Sequence, residues 1–323
     1  MTTDLPPVLL ALPGNEDQTA ALARALGATV GRLTVRRFPD GESYVRVESP
    51  LRGRDIIAVC TLDRPDDKVI QLLLLAATAR DLGARRIGLV APYLAYMRQD
   101  HQFREGEGVT SQYFARLLSD AVDWLVTVDP HLHRRRSLRE IYTAPTAVVH
   151  AAPFIATWIR AHVERPLLVG PDNESAQWAQ AVADVAGAPA VVLEKTRRGD
   201  RDVEVSVPGL ERWRTHTPVL VDDIISTART MIETADHLTR AGLAAPVCVG
   251  VHAIFADSAY SDLLAAGAAR VVTCNTIPHP SNAINLTSPL ADQVRRALSV
   301  SDMRPPSSVQ RSAAAPAHPG SRS

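Results

Sequence analysis

The residues best suited to chemistry lie where an apolar run ending at position 221 leads into two acids and then into a group of small hydroxyl residues. The acids are Asp222 and Asp223, whose carboxylates can accept hydrogen bonds from the hydroxyls of a sugar. The hydroxyl residues, at the predicted start of a helix, are Ser226, Thr227 and Thr230. Main-chain N–H groups at such a helix start can hold a phosphate. A helix N-cap in a solvated loop uses the same residue types, so a sugar-phosphate site and a plain cap both stay open at this point.

A second polar segment, Arg98-Gln99-Asp100, follows the apolar run at 86–91. A guanidinium can pair with phosphate oxygens, and an amide can reach a base or a ribose. An exposed polar loop after a strand has the same composition. The residue types alone therefore leave a nucleotide site and an ordinary loop as alternatives.

Two residues that could bind a metal, His131 and Asp172, each follow a predicted strand. Mg²⁺ keeps several waters and is bound by few protein groups together with substrate phosphates, so a sparse pair of this kind suits it. A histidine satisfied by hydrogen bonds is the alternative, and the nearby His133 could be mistaken for the ligand. We expect Asp129 to orient the histidine or its loop.

Two further segments indicate ordinary surface structure when their residue types are taken alone. Residues 194–201 form a dense run of charges, which is typical of a solvated face. Residues 38–42 contain Pro-Asp-Gly, which predicts a turn between two strands.

Taken together, these segments resemble the signatures of the ribose-phosphate diphosphokinase family. The stretch around Asp222 resembles the ribose-phosphate-binding loop that this family shares with type I phosphoribosyltransferases. Four segments resemble diphosphokinase signatures in the expected order, a set that the transferases lack: 38–42, 93–100, 128–131 and 170–174. The resemblance extends over roughly residues 8 to 300.

The resemblance implies a reaction and a role for each segment. Mg-ATP would give its β,γ-diphosphoryl group to the 1-hydroxyl of ribose 5-phosphate, forming 5-phosphoribosyl 1-diphosphate and AMP for nucleotide biosynthesis. The implied ribose 5-phosphate residues are Asp222, Asp223, Ser226, Thr227, Ala228, Arg229 and Thr230. The implied ATP residues are Arg98, Gln99 and Asp100, together with Phe38, Asp40 and Glu42 from a neighbouring subunit of a homo-oligomer with shared active sites. The implied Mg²⁺ ligands are His131 and Asp172, and the implied catalytic residues are Lys195 and Arg197.

The sequence departs from the family pattern at two places. Ala228 and Arg229 stand where the family's loop commonly has one or two glycines, which let the main chain approach a phosphate without a Cβ. Residues 101–109 are rich in Glu and Gly, unlike the basic stretch that follows Arg-Gln-Asp in the best-known bacterial members. Allosteric control by phosphate and ADP is therefore not carried over to this chain.

Two other functions remain open: a phosphoribosyltransferase acting on a base, and a non-catalytic subunit that associates with diphosphokinases and restrains them. A transferase needs one domain and no ATP segments. A non-catalytic subunit should have lost its charged site residues, whereas Lys195, Arg197, His131 and Asp172 are all present.

The elements that must position these residues are predicted to form an α/β protein. Short apolar runs alternate with helical patterns such as 68–81 and 230–241, which predicts mostly parallel sheets covered on both faces. The predicted strands are 8–12, 55–60, 86–91, 124–128, 166–169, 191–193, 218–221, 246–252 and 270–274. The resemblance implies two tandem type I phosphoribosyltransferase-like domains, each a mostly parallel sheet flanked by helices.

The predicted domains are residues 1–150, with the ATP segments, and 151–302, with the ribose 5-phosphate loop. The junction is set by Pro145 and Pro153, and a likeness between segments 82–87 and 266–271 suggests duplication. Residues 303–323 lack any periodicity and are predicted to be a disordered tail.

The composition of the chain limits the kinds of molecule that it is expected to bind. The 323 residues are 46% hydrophobic, and 35 Lys and Arg balance 35 Asp and Glu, which argues against long-range recruitment of nucleic acid or of an anionic membrane. The three cysteines, Cys60, Cys248 and Cys274, lie far apart in apolar runs and predict buried reduced thiols. With no apolar stretch of membrane-spanning length and no leader pattern at the N-terminus, we expect a cytoplasmic enzyme.

Overall fold

The computed structural model describes residues 5–171, 175–192, 194–198, 202–206 and 210–300, and within 194–198 and 202–206 the description covers the main chain. The first half contains β1 Val8–Ala11, α1 Glu16–Leu26, β2 Thr29–Val30, β3 Leu33–Arg37, β4 Ser43–Val47, β5 Asp55–Val59, α2 Asp66–Asp81, β6 Arg86–Ala91, α3 Thr110–Ala121, β7 Trp124–Val128 and β8 Thr146–Val149. The second half contains α4 Ala152–His162, β9 Pro166–Gly170, α5 Ala176–Ala186, β10 Ala190–Val192, β11 Glu194–Arg198, β12 Asp202–Ser206, β13 Thr217–Ile225, α6 Arg229–Arg240, β14 Val247–Ala253, α7 Ala259–Ala265, β15 Arg270–Cys274, β16 Asn282–Ile284 and α8 Thr287–Ser299.

Two six-stranded sheets organise the chain. The first sheet has the order β2-β1-β5-β6-β7-β8 and the second has the order β10-β9-β13-β14-β15-β16. Every pairing within the two sheets is parallel. The predicted α/β class, with two mostly parallel sheets flanked by helices, is confirmed.

The two sheets share one strand order, but the likeness between segments 82–87 and 266–271 is not its origin. The first segment leads into β6, the fourth strand of its sheet, whereas the second leads into β15, the fifth strand of its sheet. The two segments therefore do not occupy equivalent positions in the two sheets, and the prediction that they correspond to each other in a duplication was wrong. Both segments place a glycine with positive φ, Gly83 or Gly267, between a helix and a strand, and this shared turn chemistry explains the likeness.

Apolar runs form the central strands because both faces of each sheet are covered. Every residue of β5 and of β7 is buried. Gly88 on β6 allows this packing, since a Cβ there would lie 2.0 Å from the ring of Trp124 on the neighbouring strand. Among the described residues, no helix is long and apolar enough to cross a membrane.

The last helix, α8, returns to the first sheet. It lies against α1, β7 and β8, and its Leu290 and Val294 belong to the same buried cluster as Val126 of β7 and Leu168 of β9. One apolar core therefore continues from the first sheet to the second. The two halves are fixed to each other by this core rather than joined by a single linker.

The turn predicted at 38–42 is confirmed as the connection of an antiparallel hairpin, in which Leu33 of β3 pairs with Val47 of β4. Gly41 has φ +93° and its N–H donates to the carbonyl of Phe38. The predicted tail, residues 303–323, lies outside the described residues.

Candidate active site

The cleft between the two sheets gathers polar side chains from both halves of the chain. Strands β6 and β7 of the first sheet and β13 of the second all end at this cleft, in agreement with the rule that open parallel sheets bind ligands at the carboxyl ends of their strands. The cleft has a volume of about 170 Å³ and is lined by Arg98, His131, His133, Asp222, Asp223, Ile224 and Ser226.

The two acids lie inside a strand rather than after it. We predicted that the strand ends at residue 221, but β13 continues to Ile225. Successive side chains of a strand point to opposite faces, and Asp223 is buried while Asp222 is half-buried. The two carboxylates therefore have different environments, and the sequence did not distinguish them.

Asp223 meets His131 across the cleft. Its Oδ2 lies 2.7 Å from Nδ1 of His131, although the two residues are 92 positions apart. Burial alone would raise the pKa of Asp223, but the hydrogen bond with His131 and the electrostatic attraction of His131 outweigh it, so that the pKa is lowered. The carboxylate is therefore held in its ionised form.

A second histidine stands beside the first. Nε2 of His133 lies 3.1 Å from Nδ1 of His131, and the ring centroids are 3.8 Å apart. The donor atoms of His131, His133 and Asp223 all lie within 4.8 Å of one another. His133 was expected only to be mistaken for the ligand, but it lies in the same cluster as His131 and Asp223.

The loop after β13 forms a second, adjoining cleft of about 110 Å³. It is lined by Asp222 and by the continuous segment from Ile224 to Met231, which includes Ser226, Thr227, Ala228, Arg229 and Thr230. These residues carry the predicted ribose 5-phosphate role, and the structure brings them together around one cavity at the start of α6.

Ala228, rather than Arg229, holds the conformation for which glycine is suited. Ala228 has φ +56° and is buried, and it precedes the first helical residue, Arg229, whose side chain is exposed. The main chain at Ala228 thus takes a left-handed turn with a Cβ present. The departure from the family pattern is a local strain at residue 228, while Arg229 begins the helix.

Asp129 fixes the loop that carries His131. It has φ +27°, and its Oδ2 accepts a hydrogen bond from the N–H of Ala151 at 2.6 Å. Its Oδ1 lies 3.0 Å from Nδ1 of His150. The hydrogen bond with Asp129, set against burial, raises the pKa of His150. Asp129 therefore orients the loop through the main chain rather than by contact with His131.

His252 is a buried residue next to the site that sequence reasoning missed. It lies on β14, and its Nε2 is 3.3 Å from the carbonyl oxygen of Asp129 in the other half of the chain. Its Nδ1 is 2.9 Å from Oγ1 of Thr276, and its ring packs edge-on against Tyr93. The sequence feature that could have identified it was a histidine inside an otherwise apolar strand.

The side chains of Arg98, Gln99 and Asp100 have three different environments in the structure. Arg98 is exposed and lines the cleft. Gln99 accepts a hydrogen bond from the hydroxyl of Thr110 at 3.3 Å. Asp100 is buried, and its Oδ1 lies 3.0 Å from His101 and 3.2 Å from Arg134. Burial opposes ionisation of Asp100, but the hydrogen bond with His101 and the charge of Arg134 lower its pKa. An ATP contact through Asp100 stays a prediction.

The remaining predicted residues lie outside this cluster or outside the described part of the chain. On the β3–β4 hairpin, Phe38 packs edge-on against Tyr44, and Asp40 accepts a hydrogen bond from the N–H of Glu42. The described residues that line the cleft include none of the hairpin residues Phe38, Asp40 and Glu42. Lys195 pairs with Val205 and Arg197 with Val203 in the main-chain register of β11 and β12. Asp172 lies outside the described residues.

Comparison with known proteins agrees with this architecture. Residues 8–121 match the N-terminal domain of ribose phosphate pyrophosphokinase, and residues 137–288 match the phosphoribosyl transferase domain. The first match argues against a single-domain phosphoribosyltransferase.

Named relatives extend the match to most of the chain. The ribose-phosphate pyrophosphokinase of Sulfurisphaera tokodaii is 32% identical over 270 residues, which are 82% of this chain and 91% of the relative. That of Methanopyrus kandleri is 32% identical over 275 residues, 84% of this chain and 93% of the relative. The crystal structure of phosphoribosylpyrophosphate synthetase from Mycobacterium smegmatis has a TM-score of 0.81 and 25% identity, covering 91% of this chain and 99% of that one. The chain therefore belongs to the ribose-phosphate pyrophosphokinase family, also called ribose-phosphate diphosphokinases.

Proposed function

We propose that this chain transfers the β,γ-diphosphoryl group of Mg-ATP to the 1-hydroxyl of ribose 5-phosphate, giving 5-phosphoribosyl 1-diphosphate and AMP for nucleotide biosynthesis. The observation that carries the proposal is the approach of His131 from the first half to Asp223 from the second at 2.7 Å. This contact supports the proposal, because a nucleotide site on the first half and a sugar-phosphate site on the second would then share one cleft, as transfer between two bound substrates requires.

Ribose 5-phosphate would bind in the cleft formed by β13 and the start of α6. The 5-phosphate would be held by the N–H groups and hydroxyls of the segment from Ser226 to Thr230. Asp222 lines both adjoining clefts. Its carboxylate would accept a hydrogen bond from a ribose hydroxyl.

ATP would lie on the first-sheet side of the cleft. Arg98 is exposed there and can pair with phosphate oxygens. The donor set also fits Mg²⁺, because the ionised Asp223 offers an oxygen ligand and few other protein groups are needed when phosphates complete the sphere. His131 and Asp223 would hold the ion, together with Asp172 as the resemblance implies. The ion would neutralise charge on the transferring diphosphate.

The chain's own residues would act mainly by position and charge. The oxygen of the 1-hydroxyl attacks the β-phosphorus, the bond from that phosphorus to the α-bridging oxygen breaks, and AMP leaves with the electron pair. The hydroxyl proton is released. Lys195 and Arg197, by resemblance, would neutralise the negative charge that develops on the transferring group.

The hairpin at 38–42 would contribute to the ATP site of a neighbouring subunit. Phe38 is partly exposed, and the guanidinium of Arg36 lies 4.5 Å from its ring centroid. An exposed ring beside a cation offers a stacking surface for adenine. We therefore propose a homo-oligomer with shared active sites.

The three buried thiols agree with a reducing compartment. Burial raises the pKa of Cys60 and Cys248 to about 12 each, and that of Cys274 also rises. Thiols of this kind are inert. We propose a cytoplasmic location for the enzyme, because thiols are kept reduced there.

Release of AMP from Mg-ATP, measured with and without ribose 5-phosphate, tests the proposal. AMP and 5-phosphoribosyl 1-diphosphate should form in equal amounts, and only with both substrates. Failure to form either product would favour the non-catalytic associated subunit. Release of pyrophosphate from 5-phosphoribosyl 1-diphosphate and a base would favour a phosphoribosyltransferase.

A further inference from the structure

Asp100 lies between the two loops through which the first sheet contributes to the cleft. Arg98, which lines the cleft, precedes it by two residues in the segment after β6, and His133, which also lines the cleft, belongs to the loop after β7. The side chain of Asp100 is only 3% exposed, and the described residues that line the cleft do not include it. Asp100 is therefore placed to act from behind the cleft wall.

Two consecutive arginines of the loop after β7 converge on Asp100. Nη1 of Arg134 donates to Oδ1 of Asp100 at 3.2 Å, and Nη2 of Arg135 donates to its main-chain carbonyl at 3.0 Å. Arg135 also lies 3.4 Å from Oγ of Ser111, a fully buried residue near the start of α3. Because Arg134 directly follows His133 in the chain, these contacts fix the end of the segment that carries both histidines of the site.

The same cluster contains buried polar atoms that no hydrogen bond satisfies. Oδ2 of Asp100 has no hydrogen-bond partner among the described residues, and the same is true of the buried Nε of Arg135. A buried donor or acceptor that is left unpaired costs stability. A cost of this kind is typical of residues that hold a functional loop, and less so of contacts that only stabilise the fold.

We propose that Asp100 is a positioning residue that holds the loop after β7 in place relative to Arg98, through Arg134 and Arg135, and that it does not contact the nucleotide. This role replaces the ATP contact that the resemblance implies for Asp100. Its effect on turnover rests on the proposed function, in which Arg98 and His131 bind Mg-ATP from two different loops. A shift of about 1 Å between such groups is enough to lower a rate about a hundredfold.

A double-substitution cycle with Asp100→Asn and Arg134→Gln tests the proposal. Each single variant should lower kcat by about tenfold or more and leave KM for ATP within about twofold of wild type, because the reacting groups are misaligned while the contacts to ATP remain. The double variant should be slower than the worse single variant by no more than about twofold, since both changes remove the same contact. If Asp100 contacted the nucleotide, Asp100→Asn would raise KM for ATP and the two effects would multiply.

Hydrogen exchange provides a readout that does not depend on turnover. In Asp100→Asn the main-chain amides of residues 131–136 should exchange about fivefold faster than in wild type, or more. The matched control is Asp123→Asn, because Asp123 directly precedes β7 at its other end and its carboxylate accepts a hydrogen bond from the N–H of Ile87 at 2.7 Å. This control should lower the melting temperature and leave both kcat and the exchange of residues 131–136 unchanged.

Unchanged exchange of residues 131–136 in Asp100→Asn would overturn the proposal, and so would a raised KM for ATP with an unchanged kcat. If Asp100→Asn does not fold, the same criteria apply to Arg134→Gln, whose side chain is half-exposed. The result is separable from the proposed function. Faster loop exchange in the variant, with no AMP formed by the wild type, would support the positioning role and count against the reaction. AMP formation by the wild type, with unchanged loop exchange in the variant, would leave the reaction standing and overturn the role of Asp100.

Discussion

Ala228 carries a backbone strain that its neighbours in the segment from Ser226 to Thr230 do not. Its φ of +56° lies in the left-handed region, where a Cβ costs about 1–2 kcal/mol. The side chain is buried beside Met231 in the core of the second half. The loop therefore keeps the sharp turn that glycine would give, while burying a methyl group.

Substitutions at residue 228 should distinguish the effect of main-chain conformation from the effect of side-chain size. Ala228→Gly relieves the strain, loses a buried methyl group and makes the unfolded chain more flexible, so its free energy of unfolding should stay within about 1 kcal/mol of wild type. Ala228→Val should lose about 2 kcal/mol or more and raise KM for ribose 5-phosphate, because a β-branched residue disfavours positive φ. Urea unfolding and initial rates measure these effects.

The exposed Ala265 of α7 provides the control, since Ala265→Val introduces the same side chain in an ordinary helix. It should cost less than about 1 kcal/mol and leave KM unchanged. If Ala228→Val matched this control, the turn would not depend on residue 228.

At the scale of the elements, the position of the C-terminal end of α8 depends on one carboxylate of the first sheet. Asp55, the first residue of β5, is buried and lies 2.7 Å from a guanidinium nitrogen of both Arg85 and Arg86. Arg86 also donates to the carbonyls of Leu298 and Val300, at 2.9 and 2.8 Å. The carboxylate thus orients the arginine that fastens the helix end.

This ion cluster predicts a loss of stability in acid. Burial would raise the pKa of Asp55, but hydrogen bonds and charge from Arg86 and Arg85 lower it overall. A carboxyl whose folded-state pKa lies below its unfolded value of about 3.9 stabilises the protein above that pH, and the stabilisation is lost as the pH falls further. Asp55→Asn should be less stable by about 3 kcal/mol at pH 7.

The difference between wild type and Asp55→Asn should shrink below about pH 4, as the wild-type carboxyl takes up its proton. Urea unfolding at neutral and acid pH measures this. The control is Asp292→Asn on the exposed face of α8, whose pair with Arg295 should contribute less than about 1 kcal/mol. A constant difference across the pH range would mean that the stability effect does not come from ionisation of Asp55.

At the scale of the whole molecule, His252 connects the two halves of the chain next to the candidate active site. It is fully buried, and burial lowers its pKa, so the ring is neutral near pH 7. One nitrogen faces Thr276 on its own half, and the other faces the carbonyl of Asp129, two residues before His131. The distance between His131 and Asp223 therefore depends on a contact outside the cleft.

Replacement of His252 should disturb catalysis more than substrate binding. His252→Leu keeps the apolar packing against Tyr93 but removes both polar contacts, and kcat should fall by about ten- to a hundredfold with little change in either KM, because the reacting groups are misaligned. His252→Gln, which can still donate to Asp129, should recover part of kcat. Equal kcat for all three folded proteins would contradict the positioning role.

Shared active sites should be visible when two inactive subunits are mixed. Glu42→Ala would remove the proposed hairpin contribution, and Lys195→Ala would remove the proposed catalytic contribution. After subunit exchange, some sites regain both intact parts, and activity should return in part, to about a quarter of wild type if mixing is random. Fluorescence energy transfer between labelled subunits verifies exchange, and mixtures that exchange but stay inactive would contradict sharing.

The sequence by itself predicted the central strands of both sheets and proposed the candidate residues. Near-continuous apolar runs separated by helical patterns fix parallel strands, because only strands covered on both faces need such runs. The strands at 86–91 and 124–128 appear with those bounds. The hydroxyl residues beyond the apolar run predicted the loop before α6, since local spacing encodes local structure, whereas Asp222 and Asp223 lie within β13.

The tertiary structure alone decided which of these residues meet. Asp223 faces His131 because β13 runs on past residue 221, His133 joins them because the β7 loop turns, and α8 returns to the first sheet. The contact between Asp223 and His131 and the packing of α8 join residues that are far apart in the sequence. Each depends on how two sheets pack through one core, and a hydrophobic pattern specifies which face of a strand is buried but not which distant side chain lies opposite.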